Sequence, residues 1–145
     1  MVGVVRDHMT TAVQTLTEDA PLRRAVELVL VRRVRHVPIV DAAGAMVGIV
    51  TDRDVMRALP SPLSPIARQM YESLLESTPV TKVMTREPIT VGAQVSLREA
   101  VVTMLERKIS GLPVVENGRL AGMLTQTDAL RAYLGLPRKG AAEQA

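Results

Sequence analysis

Gly48-Ile49-Val50-Thr51-Asp52-Arg53-Asp54 decides how this chain is read, because its skeleton occurs twice. Gly122-Met123-Leu124-Thr125-Gln126-Thr127-Asp128 repeats the Gly, the two apolar residues, the Thr and the Asp three positions after it. Each copy follows a short apolar run and leads into a helix-like segment, 55–59 and 129–134. Thr-x-x-Asp at a strand-to-helix turn is helix-start chemistry. The Thr hydroxyl accepts an orphan N–H of the first turn, and the Asp reaches back to the Thr N–H. The same corner can present a hydroxyl, a carboxylate and backbone N–H groups at one mouth, where anions are favoured. The cap alone explains both copies, since duplication copies caps as faithfully as sites.

Outward from these corners, the repeat extends over most of the chain. Met9-Thr10 aligns with Met84-Thr85 at an offset of 75, which holds through Leu22/Leu97, Ala25/Ala100 and Pro38/Pro113. The offset falls to 74 after Asp41-Ala42-Ala43-Gly44, which faces the shorter Glu116-Asn117-Gly118. A one-residue change at a Gly-containing turn is what a hairpin tolerates. Each copy predicts a short strand (near 13–16 and 89–91), a helix, two β runs around a turn, and a short closing helix. The order is β-α-β-β-α, twice, an α/β (α+β) chain.

Ser96-Leu97-Arg98-Glu99 predicts a capping box at the second long helix; Asp19 and Pro21 mark the first. Leu22, Ala25, Val26, Val29 and Leu30 fit one helical face, as do Leu97, Ala100, Val101, Met104 and Leu105. Pro38 and Pro113 predict edge or strand-start positions for their runs. The boundaries read as a first repeat over 1–60, a Pro-rich linker plus helix over 61–79, a second repeat over 80–137, and a frayed tail over 138–145. In the linker helix, Ile66, Met70 and Leu74, with Tyr71, fall on one face. Neither repeat has the length to bury a sufficient core alone.

The 145 residues are 47% apolar, with two Tyr and no Phe, Trp or Cys, and a net charge of +3. Without aromatic platforms, nucleic-acid binding would rest on the basic balance alone and is not expected. Disulfides and thiolate metal sites are excluded. Two histidines without metal-ligand spacing, no phosphate loop and no nucleophile elbow leave no catalytic or metal residues to name. No signal peptide or membrane-length apolar run is read, so a cytoplasmic protein is expected.

The paired units, with Val37-Pro38-Ile39-Val40 before Gly-x-x-Thr-x-x-Asp and with Val83-Met84-Thr85 opening the second, resemble a tandem CBS-domain protein, the module named after cystathionine β-synthase. The resemblance covers about residues 5–136. It implies a Bateman-type pseudo-twofold disc that forms homodimers and binds adenosine derivatives in clefts between the repeats: AMP, ADP, ATP or S-adenosylmethionine, none obligatory. It places the ribose hydroxyls on the Asp and the ribose or phosphate on the Thr, and it lines the cleft with the segment before each Pro.

Carried over, the first site comprises Thr15, Arg35, His36, Val37, Pro38, Thr51, Arg53 and Asp54. The second comprises Thr90, Ser110, Gly111, Leu112, Pro113, Thr125, Thr127 and Asp128. Thr15 and Thr90 are equally explained as ordinary strand threonines, and Arg35, His36 and Arg53 as solvated surface. Arg53 faces Thr127 in the alignment, which predicts a first site suited to phosphate-rich ligands and a less charged second one. The function expected is a non-catalytic sensor that binds an adenosine nucleotide and signals to an unidentified regulated protein. The alternative is a ligand-free interaction module that docks through the disc and the linker helix.

Overall fold

In the computed structural model, which describes residues 3–138, the chain divides into two units that exchange their leading segments. One unit runs from Gln14 to Pro88; the other joins the residues up to Val13 with those from Ile89 onward. Of the tail expected over 138–145, all but Arg138 lies outside the described residues.

The first unit contains β1 (Leu16–Thr17), α1 (Leu22–Val26) with a π-helical turn over Glu27–Val31, β2 (His36–Val40), β3 (Met46–Thr51), α2 (Asp52–Ala58), α3 (Arg68–Ser77) and β4 (Thr85–Arg86). Its sheet has the order β1-β2-β3-β4, parallel at β1/β2 and antiparallel elsewhere. Alternation along β2 sends Val37 and Ile39 into a core with Leu22, Ala25, Val50 and Val55. The β2–β3 turn is tied by Asp41, whose Oδ1 accepts the Ala43 and Ala45 N–H groups, both at 2.9 Å. The first strand begins later than the stretch expected at 13–16.

The second unit contains α4 (Leu97–Arg107), β5 (Gly111–Glu116), β6 (Arg119–Thr125) and α5 (Gln126–Tyr133). β5 and β6 form a hairpin through Asn117 and Gly118, both at positive φ (53° and 76°), the conformation an Asn-Gly turn favours. The strand expected near 89–91 reduces to one parallel bridge, Val91 to Val114, and Thr10 bridges Met123 on the far side. Val5, Leu97, Ala100, Met104, Leu112 and Leu124 form its core.

The exchange follows from buried anchors. Val5, in a 3-10 turn, is fully buried, and its N–H bonds the Val95 carbonyl at 2.9 Å. Its counterpart Val80 is equally buried in the other unit, with its N–H on the Ala20 carbonyl at 2.8 Å. Each unit thus takes in the segment that opens the other repeat.

Four further expectations change. β2 is an interior strand, not an edge. Pro38 is accommodated because Val40, two residues on, turns its carbonyl to Glu18 N–H, so the Pro38 nitrogen faces the stretch before β1 begins. Leu30 (49% exposed) and Leu105 (71%) lie outside their cores. Leu105 sits about 80° around the helix from Leu97, at the edge of the apolar stripe. On α3 the packed residues are Leu75 and half-buried Tyr71; Met70 and Leu74 are exposed on the adjoining face, and exposed Ile66 lies before the helix begins. Ser96 caps α4 by accepting Glu99 N–H at 3.1 Å, but the return bond of the box is not made, and Ser96 bridges Val4.

Candidate functional site: two capped carboxylate corners

Both Thr-x-x-Asp copies are full capping boxes. In the first unit Thr51 Oγ1 accepts Asp54 N–H at 3.3 Å, while Asp54 Oδ2 accepts Thr51 N–H at 2.8 Å and the Thr51 hydroxyl at 3.0 Å. In the second unit Thr125 Oγ1 accepts Asp128 N–H at 3.2 Å, and Asp128 Oδ2 accepts Thr125 N–H at 2.9 Å. The cap therefore exists in both units. In the first it engages one oxygen only: Asp54 Oδ1 accepts nothing from the described residues.

The glycine that opens each copy of the motif has a steric cause. A Cβ on Gly48 would stand 2.5 Å from Met84 Sδ and 2.9 Å from the Thr85 carbonyl oxygen. A Cβ on Gly122 would stand 2.6 Å from the Thr10 carbonyl oxygen and 3.0 Å from Met9 Sδ. Each glycine clears the way for a Met-Thr segment to pair beside the strand that ends in the corner. The Met-Thr pairs thus belong to the corners, which spacing alone did not reveal; their recurrence alongside the repeated Gly was the only signal.

Backbone bonds gather the other predicted residues. Asp52 N–H donates to the Arg35 carbonyl at 3.0 Å and Gln126 N–H to the Ser110 carbonyl at 2.8 Å, tying each pre-proline segment to the start of the closing helix. His36 pairs with Thr51, and Gly111 with Thr125. Arg35, Arg53 and Thr127 are exposed, whereas Val37, Pro38, Leu112 and Pro113 are buried. Thr15 and Thr90 are exposed coil residues immediately before Leu16 and Val91, level with Pro38 and Pro113. Burial holds the His36 imidazole below its ordinary value of 6.5; Asp52 opposes that shift and Arg35 reinforces it. Among the described residues no cluster of His, Asp and Glu could hold a metal ion, and no helix is long and apolar enough to cross a membrane.

A duplicated β-α-β-β-α module with a capped carboxylate corner in each copy is the class these features define. The CBS domain profile matches residues 5–61 and 80–135, and the chain belongs to the CBS domain family. A CBS domain-containing protein of Dictyostelium discoideum is 31% identical over 128 residues, 88% of each chain. Other relatives are longer: the chain spans 41% of an uncharacterized Methanocaldococcus jannaschii protein that is 32% identical over 127 residues. Among solved structures, CBSX2 in complex with AMP superposes with a TM-score of 0.76 at 31% identity, covering 92% of this chain and 97% of that one; CBSX2 comes from Arabidopsis thaliana. The CBS domain pair of protein MJ0100, in complex with 5′-methylthioadenosine and S-adenosyl-L-methionine, gives 0.75 at 25% identity over 93% and 98% of the two chains.

Proposed function

We propose that the chain is a non-catalytic regulatory module that binds an adenosine-type ligand at a Thr-x-x-Asp corner. The observation that carries this reading is Asp54: its cap uses Oδ2 and leaves Oδ1 available to a ribose hydroxyl, with exposed Arg53 and Arg35 beside it for phosphate. The AMP, methylthioadenosine and S-adenosylmethionine held by the neighbours agree with that chemistry. Arg53 favours the more phosphate-rich ligands; Thr127 gives the second corner no such cation. Because a ligand of the native state raises its stability, melting temperature measured with AMP, ATP and S-adenosylmethionine tests the reading. No shift at saturation with any of the three refutes it.

Exposed Met70 and Leu74 on α3, with exposed Ile66 just before it, support the second reading, a module that docks on another protein without a ligand. A homodimer accords with the outward Leu30 and Leu105, equivalent positions of the two repeats. Sedimentation of the chain with Leu30→Glu and Leu105→Glu variants tests it: a monomer in the wild type rejects the dimer.

A further inference from the structure

The internal repeat supplies its own control, because the two corners are not equally open. Thr10 and Thr85 occupy equivalent places: Thr10 pairs with Met123, and Thr85 pairs with Ile49. The Thr10 hydroxyl lies 3.5 Å from both Oδ1 and Oδ2 of Asp128. Its backbone is pinned to Met123 by two bonds of 2.8 and 2.9 Å, and its branched side chain is stiff at χ1. Asp128 is only 5% exposed. Thr85 is exposed and makes no bond to Asp54, which is half-buried.

A diol donates to a carboxylate through O–H groups about 2.7 Å from the accepting oxygens. At Asp128 the position from which one hydroxyl could address both oxygens is already held by a hydroxyl of the chain itself. At Asp54 it is not. We infer that Thr10 closes the second corner, so that each chain takes a single adenosine-type ligand, at Asp54. The inference rests on the nucleotide reading above and makes Thr10 a residue that sets stoichiometry from a different repeat.

Calorimetric titration of the full chain with AMP tests it. The wild type takes one AMP per chain, and Asp54→Asn weakens binding at least tenfold. Thr10→Ala raises the number to two, and adding Asp128→Asn to Thr10→Ala returns it to one. Thr10→Ser keeps the hydroxyl and stays at one, and melting curves of each variant confirm folding. Two sites in the wild type, one site indifferent to Asp54→Asn, or a folded Thr10→Ala variant that stays at one would overturn the inference while leaving nucleotide binding intact. Absence of AMP binding in wild type and variants alike would reject the nucleotide reading itself, and this inference with it.

Discussion

Gly122→Ala is the substitution on which the packing argument is most exposed. The new methyl carbon would stand 2.6 Å from the Thr10 carbonyl oxygen, 0.8 Å inside the 3.4 Å at which ordinary contact begins. The obstacle is backbone, so no rotamer change removes it. Relief requires moving the Thr10 strand away from Met123, which lengthens both bonds joining them. Two such bonds contribute about 1 kcal/mol each, and overpacking costs about 1–3 kcal/mol. The stiffer unfolded chain returns about 0.4–1 kcal/mol. The net expectation is a loss of about 3 kcal/mol, roughly 6–12 °C in melting temperature for a chain of this size.

Urea unfolding followed by far-ultraviolet circular dichroism is the assay, since the chain has no Trp. Gly118→Ala is the comparison: its φ is +76°, but nothing lies within 4 Å of its added carbon, so only the left-handed backbone strain of about 1–2 kcal/mol remains. Met84→Ala should partly rescue Gly48→Ala, because the nearest obstacle there is the flexible Met84 Sδ. Met9→Ala should not rescue Gly122→Ala. A Gly122→Ala loss no larger than that of Gly118→Ala would refute the reasoning.

Thr51→Ala and Thr125→Ala each remove a cap and should cost about 1 kcal/mol in urea unfolding, with Ser restoring most of it. Because the folded-state value of His36 lies below 6.5, the unfolded chain binds more protons there as pH falls. The His36 contribution to stability is therefore full above about 6.5 and declines on acidification through the depressed value; His36→Gln should flatten that part of the melting-temperature profile. Leu75→Ala should destabilise by about 2–3 kcal/mol, whereas Met70→Ala, on the exposed face of α3, should change stability by under about 0.5 kcal/mol.

What the sequence disclosed was governed by local chemistry. Thr51 and Asp54 find each other because a helix start brings positions three apart together. Asn117-Gly118 turns the chain because both residues tolerate positive φ. The order of elements follows from the same short-range signals. Tertiary choices were less visible. Ile66, Met70 and Leu74 are spaced as one apolar helical face, yet Ile66 falls before α3 and the helix buries the adjoining face, held by Leu75 and by Arg23 paired with Glu76. Spacing identifies a face but not the surface that receives it. At the corners, the identities of Asp54 and Asp128 say nothing of their unequal exposure, because Thr10 reaches Asp128 from 118 positions away.

The exchanged leading segments determine which piece of the chain can fold by itself. Cutting at the Pro-rich linker, which the repeat boundaries invite, leaves residues 1–62 without Leu75, Val80 and β4. Val80 is fully buried and Leu75 nearly so, together about 4 kcal/mol of apolar burial, and β3 would lose its pairing with Thr85 and Arg86. A chain of about sixty residues has little stability in reserve. Residues 14–88 instead keep the whole four-stranded sheet and its core. The 14–88 fragment should therefore melt cooperatively and 1–62 should not, although 1–62 contains the complete first repeat. A cooperative transition in 1–62 at the temperature of 14–88 would mean that Val80 and β4 are ornaments on the first repeat and not part of its core.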